Sequence, residues 1–445
     1  MFERKPVPSN FVDHFTSKLR MEENLLHFVW KHRLFINDSP KTVTGDLLKI
    51  IDPGLHNSDA GPDFFNAKIK FNNTLWVGNV EIHIRSSDWY KHGHDRNPGY
   101  DSVILHVVKQ YDKDIYRLNG EPVPQLVLSY PEHIDETYSY LLNIKKSVPC
   151  SLLTERVSPL SITSWLNVLQ TERLEQKTER IFQLLNQCEN NWEEVLYITL
   201  GRYFGAGVNG DAFERLTRSL PHILLLKHQD SLLQTEALLF GQAGILANDI
   251  RDPYFLQLKK EYAFLRHKYN LQPMDAVCWK SHRIRPANFP EIRIAQFAAF
   301  RNQNIRLFSA VIEADTLSDL RNLFKVRPAP YWKNHYNFGN PSPDKDKIIG
   351  NILIDTLLIN VVIPVIFAFG IKINNQDLTE KALYFSEKLP PENNSIIREW
   401  NQIGLKVLNA GDTQSLIHLK KEYCDQKKCL FCRIGRELLA VKRFM

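Results

Sequence analysis

Two alternating segments around Asn72-Asn73 constrain the fold of this chain more than any other feature. The segments FFNAKIKF and TLWVGNVEIHIR, at residues 64–71 and 74–85, predict two strands joined by a two-residue hairpin turn. A strand sends alternate side chains to opposite faces, so the second segment should have one apolar and one charged face. The apolar set is Val80, Ile82 and Ile84, and the charged set is Glu81, His83 and Arg85.

The neighbouring segments predict a mixed sheet followed by helices. An amphipathic helix is expected over 21–35, a short strand over 47–52 and a further strand in SVILHVVKQY at 102–111. A hairpin around Asn119-Gly120 is expected within 114–130. From about Ser161 onward the apolar spacing becomes helical. The predicted fold class is therefore α+β, with an N-terminal mixed β-sheet domain and a mostly α-helical C-terminal region.

The length and composition are those of a multi-domain globular protein. At roughly 100–200 residues per domain, 445 residues suggest two to four domains. We place them at 1–150, 151–330 (with a basic segment) and 331–445 (with a cysteine cluster). The net charge of +6 permits an acidic partner without demanding one.

One apolar run is a candidate membrane span. Residues 352–370 are nearly long enough for a span, but they contain Asp355, Asn360 and Pro364. We interpret this run as a buried helix. The first residues, MFERKPVPSN, do not resemble a secretory signal, and six cysteines do not suggest a disulfide framework. The expectation is a soluble, cytoplasmic protein with no membrane segment.

Three polar residues in the predicted sheet have the chemistry of a metal site. Asp63 follows Gly61-Pro62, and Glu81 and His83 lie on one face of the second strand because strand side chains repeat every two residues. Two carboxylates with a nearby imidazole suit Mg²⁺ or Mn²⁺. Such an ion activates water and neutralises phosphodiester charge. Asp63 and Glu81 are the predicted metal ligands, and His83 the residue that orients water.

The register of the hairpin decides whether these residues meet. A strict two-residue loop at Asn72-Asn73 would place Asp63 opposite Ile82, on the wrong face. An odd loop length or a β-bulge would place Asp63 on the same face as Glu81.

The motif resembles the PD-(D/E)XK nuclease superfamily over roughly residues 20–110. The matching residues are Pro62, Asp63, Glu81 and His83, the last standing where the family has lysine. The resemblance implies a core of a helix, a three-strand meander, a helix and another strand. It also implies an acidic residue on the first helix, Glu22 or Glu23, of which Glu23 is the predicted catalytic one. A metal-dependent nuclease acting on DNA or RNA is the implied function.

The departure at His83 leaves an alternative open. Histidine is not a fixed cation at neutral pH. The alternative is a non-catalytic nucleic-acid-binding or scaffold protein with a degenerate nuclease fold.

Over most of its length the chain also resembles an uncharacterised bacterial family, known as domain of unknown function 2851. The matching stretches are NSDAGPDFFNAKI, WVGNVEIHIRSSDWYKHGHD, RPANFPEIRIAQ and KKCLFCRIG. This resemblance implies no established activity.

A polar segment, SDWYKHGHD, follows the second strand at residues 87–95. We interpret it as a solvated loop anchored in the core by Trp89. The alternative is that His92 and His94 form a second set of ligands or part of a substrate-facing loop.

Near the end of the chain, Cys424, Cys429 and Cys432 have the spacing C-x4-C-x2-C. Thiolates at such intervals suit Zn²⁺ or an iron–sulfur cluster. A fourth ligand has to come from elsewhere. The candidates are His418, Cys150, Cys188 and Cys278.

A basic segment spans residues 280–306, with six Lys or Arg residues and one acid. Its arginines are interleaved with aromatic and histidine side chains, a pattern that suits a phosphate backbone and unstacked bases. Nucleic acid is therefore the predicted partner, through Arg283, Arg285 and Arg293. The alternative is an ordinary solvated helix face.

Overall fold

A computed structural model describes residues 21–37, 39–205 and 207–440. Within them the chain forms two compact units. The first combines the described parts of Met1–Trp165 and Lys420–Met445, and the second is Leu166–Leu419. This division differs from the three consecutive domains expected from the sequence. The last segment belongs to the first unit, which residue order alone does not reveal.

The first unit is built on a mixed sheet, and the expected strands are confirmed. Strands β1, β3 and β4 are antiparallel, β2 pairs with β3, and β5 and β6 continue from β4 in parallel. The strands are β1 (Leu48–Asp52), β2 (Leu55–His56), β3 (Phe64–Phe71), β4 (Thr74–Arg85), β5 (Val103–Gln110) and β6 (Gln125–Val127). Around Asn119-Gly120 the predicted hairpin is reduced to a turn with a single bridge, Tyr116 to Pro122.

A β-bulge at Asn66 corrects the register of the hairpin. Phe71 pairs with Thr74, so the loop has the two residues that the sequence predicted. The pairing shifts between Phe64 and Ala67, where Asn66 takes a left-handed conformation with φ of 56°. The Asn66 N–H donates to Asn79 Oδ1 at 3.2 Å. Beyond the bulge Phe64 pairs with Val80, which places Asp63 beside Glu81.

Helices and the sheet share one core in the first unit. Helix α1 occupies residues 21–31 and ends where Arg33 turns left-handed, short of the predicted residue 35. The other helices are α2 (Asp88–Lys91), α3 (Glu132–Asn143) and α18 (Arg433–Ala440). Trp30 of α1, Phe64 and Ile82 of the sheet and Leu439 of α18 belong to the same buried cluster. The C-terminal helix therefore completes the core of the sheet.

The second unit is mostly helical, as the periodicity predicted. Its elements end at ordinary capping residues: α9 begins after Asp252, whose Oδ1 accepts the Phe255 N–H, and ends at left-handed Asn270. The boundary between the units lies within α4 (Pro159–Gln187). The remaining elements are α5 (Trp192–Phe204), α6 (Gly210–Ser219), α7 (His222–Leu226), α8 (Leu232–Gln242), α9 (Pro253–Tyr269), α10 (Pro290–Gln303), α11 (Leu307–Glu313), α12 (Leu317–Leu323), β7 (His335–Asn337), β8 (Asn340–Pro341), α13 (Asn351–Leu357), α14 (Ile363–Lys372), α15 (Gln376–Lys388), α16 (Ser395–Gln402) and α17 (Ala410–His418).

The apolar run at 352–370 falls in one continuous helical stretch, Asn351–Lys372, with a π-helical turn at Leu358–Val362. Within the described residues, this is the one helix long and apolar enough to cross a membrane. In its most apolar window, 72% of the stretch is buried in the described structure. That burial is what a core helix requires, so the stretch is weak evidence for a membrane span.

The left-handed backbone at Asn66 can be tested by substitution. Asn66 is exposed, so changing its side chain removes no packing. Asn66→Val should lower the free energy of unfolding by about 1–2 kcal/mol, because a β-branched residue disfavours this conformation. Asn66→Gly is the matched control and should cost little. Equal stabilities of the two variants in chemical denaturation would contradict this account of the bulge.

Candidate functional site

Asp63 and Glu81 are held by bonds between their carboxylates and each other's strand. The Asp63 N–H donates to Glu81 Oε2 at 3.1 Å, and the Ile82 N–H donates to Asp63 Oδ2 at 2.9 Å. The bulge at Asn66 makes this exchange possible, because it places both acids on one face. The charged face of β4 is not a solvent face, however. Glu81 is 4% exposed and His83 is 2% exposed.

Three imidazoles gather around the Glu81 carboxylate. His83, His92 and His94 each offer a ligand atom, and these atoms lie within 4.8 Å of one another. Glu81 Oε1 is 3.4 Å from His83 Nε2 and 3.1 Å from His94 Nε2. His92 Nδ1 is 3.0 Å from His83 Nε2. The three ring nitrogens therefore form a compact donor set, and Glu81 Oε1 lies beside those of His83 and His94.

The segment after β4 delivers His92 and His94. Its anchoring by Trp89 is as predicted, since that indole is fully buried. Left-handed Gly93, with φ of 73°, reverses the backbone between the two histidines. His94 then stacks on Tyr100 with ring centroids 3.7 Å apart. The interpretation of this segment as a merely solvated loop is therefore wrong, because both imidazoles turn toward His83.

A fourth imidazole, that of His106 on the neighbouring strand, contacts His83. His106 of β5 lies opposite Glu81 in the parallel register, and its Nε2 is 2.8 Å from His83 Nδ1. His106 is fully buried. A histidine that binds metal through one ring nitrogen usually bonds a partner through the other, which fixes its tautomer and orientation. His106 stands in that supporting position.

Helix α1 contributes a histidine that the sequence argument missed. His27 Nε2 is 3.3 Å from Asp63 Oδ2, and both side chains are partly exposed. Glu23 lies four residues earlier, on the same helix face. The spacing between Glu23 and His27 could have revealed His27. Burial by itself lowers the pKa of His27. The hydrogen bond and negative charge of Asp63, together with the charges of Glu23 and Glu81, outweigh burial and raise this pKa above its usual value.

Burial decides the protonation of the inner groups. Together with the negative charge of Asp63, it raises the pKa of the Glu81 carboxyl to about 9. Burial and the neighbouring imidazoles of His106, His92 and His94 lower the pKa of His83, and burial lowers that of His94 to about 4. These imidazoles are therefore neutral, the form in which histidine binds a metal.

The donor set fits a metal ion on geometric grounds. His94 Nε2 is buried and makes no hydrogen bond in the described structure, although it is 3.1 Å from Glu81 Oε1. A buried polar atom without a bond is costly unless another partner satisfies it. Imidazole nitrogens with a carboxylate suit Zn, Mn or Fe better than Mg²⁺, which prefers oxygen ligands. Exposed His92 and partly exposed Asp63 leave the site open to a substrate.

The other predicted residues lie outside this cluster. Cys424, Cys429 and Cys432 line a separate cavity of the first unit together with Cys150. Arg283 and Arg285 are exposed in the second unit. Arg293 was expected to bind nucleic acid, but it is buried and its guanidinium donates to Gln296 and Asn288. It is therefore not available to a nucleic acid in this conformation.

The chain belongs to the family described as a protein of unknown function, DUF2851, which it matches over residues 23–395. The match includes Glu23 and the group that we call the His/carboxylate cluster, which consists of Asp63, Glu81, His83, His92 and His94. No curated protein and no solved structure matches the chain.

The raised pKa of Glu81 makes the stability of the metal-free protein depend on pH. The folded state holds this proton up to about pH 9, whereas an unfolded carboxyl loses it near its ordinary value of 4.5. The free energy of unfolding should therefore fall as pH rises between these values, by at most about 1.4 kcal/mol per pH unit. Glu81→Gln keeps a neutral side chain, so its slope should be smaller. Denaturation from pH 5 to 9 in a chelator measures both slopes, and identical slopes would contradict the burial of Glu81.

Proposed function

We propose that this member of the DUF2851 family is a metal-dependent hydrolase that cleaves phosphodiester bonds of nucleic acid. The observation that carries the proposal is the cluster of three imidazoles, two of which lie beside the buried carboxylate of Glu81, next to Asp63. Several perturbed titratable groups in an open site are typical of a catalytic centre.

The metal would be held by Glu81 Oε1, His83 Nε2, His92 Nδ1 and His94 Nε2. Mn²⁺ or Zn²⁺ suits these ligands better than the Mg²⁺ that the two carboxylates alone suggested. When bound, such an ion lowers the pKa of water and neutralises charge on a phosphodiester.

His83 then has a different role from the one expected from its place in the motif. Its Nδ1 faces His106 at 2.8 Å, which leaves Nε2 as the atom that faces Glu81 and His92. A histidine fixed in this way would bind the metal ion instead of orienting water. His106 is the positioning residue that holds its tautomer.

Proton transfer falls to Asp63 and His27 in this proposal. His27 Nε2 lies 3.3 Å from Asp63 Oδ2, at the partly exposed side of the site. The pKa of His27 is raised rather than lowered, unlike those of the inner imidazoles. An imidazole whose pKa is raised by a neighbouring carboxylate can hold a proton at that nitrogen, and Asp63 keeps the ring oriented.

The substrate class rests on the basic segment of the second unit. Arg283 and Arg285 are exposed, whereas Arg293 and Arg301 are buried. These exposed arginines, with exposed His282 between them and Trp279 in sequence, suit a polyanionic backbone, whereas Trp279 itself packs against the core. The alternative, a non-catalytic nucleic-acid-binding protein, shares this surface but not a working metal centre.

Activity should depend on Asp63 and on a transition metal. The purified full chain is incubated with Mn²⁺, Zn²⁺ or Mg²⁺ and with single- and double-stranded DNA and RNA. Asp63→Asn should lower cleavage at least about 100-fold, because a positioned proton-transfer group contributes that much. Asp59→Asn, an exposed carboxylate of the preceding loop, is the matched control and should keep full activity.

The outcomes separate the two candidate functions. Metal binding with cleavage that Asp63→Asn abolishes supports the hydrolase. Nucleic-acid binding without cleavage under any of the three metals supports the binding protein and overturns the hydrolase.

Binding to nucleic acid should depend on the exposed arginines. The double variant Arg283→Glu and Arg285→Glu should weaken binding and make it less dependent on salt. Each phosphate contact that is lost lowers by about one the number of counterions released on binding. Lys260→Glu with Lys406→Glu makes the same charge change at exposed positions outside the segment. Fluorescence anisotropy over a salt series measures both. Equal loss in the two double variants would show that net charge alone is responsible.

A further inference from the structure

We propose that Cys150, Cys424, Cys429 and Cys432 form one four-thiolate metal centre, with Cys150 as the fourth ligand. All four side chains line a single cavity of the first unit. Each is buried, at 8% or 9% exposure, and none is in a disulfide. The inference is independent of the proposed hydrolase, because none of these residues belongs to the His/carboxylate cluster.

The C-terminal segment is tied to the chain that precedes Cys150. Lys427 Nζ donates to the carbonyl oxygens of Leu141, at 3.3 Å, and Ile144, at 3.0 Å. These carbonyls belong to the C-terminal end of α3, where a cation is also favoured by the helix dipole. The same contact therefore caps α3 and brings residues 424–432 to the turn that carries Cys150.

Close backbone packing then sets the positions of Cys429 and Cys432. A Cβ on Gly435 would stand 2.1 Å from the Cys429 carbonyl oxygen, so only glycine permits this approach. The Arg436 N–H donates to the Cys432 carbonyl at 2.8 Å, which places Cys432 at the start of α18. Burial raises the pKa of the Cys432 thiol, and the backbone N–H groups of Gly435 and Ile434 partly offset that rise.

The other candidate ligands do not line this cavity. His418 belongs to the second unit, where its Nε2 is 3.2 Å from Glu172 Oε2. Cys188 and Cys278 also belong to the second unit and are only half-buried. Cys150 is the cysteine that folding brings to the C-terminal cluster.

Four soft donors in one buried cavity have the chemistry of a zinc or iron–sulfur site. Without a cation, burial and the neighbouring thiols raise the pKa of Cys150 to about 12. Among the described residues, no three of these four sulfurs lie within 4.8 Å of one another. Thiolates on one tetrahedral zinc ion are closer together, at about 3.8 Å. That spacing favours an iron–sulfur cluster, in which the thiolates bind different iron atoms.

The test is elemental analysis of the anaerobically purified full chain, with iron, acid-labile sulfide and zinc measured beside the absorption spectrum. We expect iron and sulfide in a brown protein. Cys150→Ser should lose most of this metal, whereas the matched control Cys188→Ser should keep it. Zinc in a colourless protein, lost in the same variant, would support the four-thiolate centre and identify its ion.

A second measurement on the unmodified chain guards against misfolding of the variant. Titration with an organomercurial should release the metal only as thiols of this cavity react, and peptide mapping should place the label on all four cysteines. Absence of iron and zinc, or metal release without labelling of Cys150, would overturn the proposal.

Discussion

The exchange of hydrogen bonds between the Asp63 and Glu81 strands is the constraint on which the candidate site depends. It requires the left-handed residue at Asn66, because a regular hairpin would turn Asp63 to the opposite face. With the bulge in place, Asp63 faces His27 of α1, and Glu81 faces the imidazoles that follow β4. A single backbone conformation thereby decides which side chains share a site.

The buried imidazoles explain why such a site is costly without a ligand. Glu81, His83 and His94 are withdrawn from water, and burial drives each toward its neutral form. Neutral imidazoles keep lone pairs free, and His94 Nε2 is left without a hydrogen bond. A divalent ion would satisfy these atoms and restore the charge of Glu81, so metal binding and stability of this unit should be coupled.

The first unit is closed by residues distant in sequence. Leu430 and Leu439 join the core beneath the sheet, and Lys427 caps α3. The proposed thiolate centre would tie the same segment to the turn at Cys150. It would add a covalent constraint to a connection that otherwise depends on packing and on a few hydrogen bonds.

Local pattern was enough to predict much of this protein. The strands at 64–71 and 74–85, their two-residue turn and the helical second half follow from side-chain periodicity, which depends only on neighbouring residues. The sequence also predicted that Asp63, Glu81 and His83 lie together, as they do in the structure, and it predicted a metal site from the cysteine spacing. The sequence predicted the bulge only as one of two ways to bring Asp63 to the face of Glu81. Periodicity does not reveal which residue will adopt a left-handed backbone.

Tertiary structure alone decided the rest. It brought His27, His92 and His94 to the acids, placed Cys150 beside the distant C-terminal cysteines, and buried Arg293, which its sequence neighbours made look like a surface cation. It also returned the end of the chain to the first unit instead of leaving a third domain. These outcomes depend on contacts between segments far apart in the chain. The free energy of such contacts cannot be predicted from a local sequence pattern.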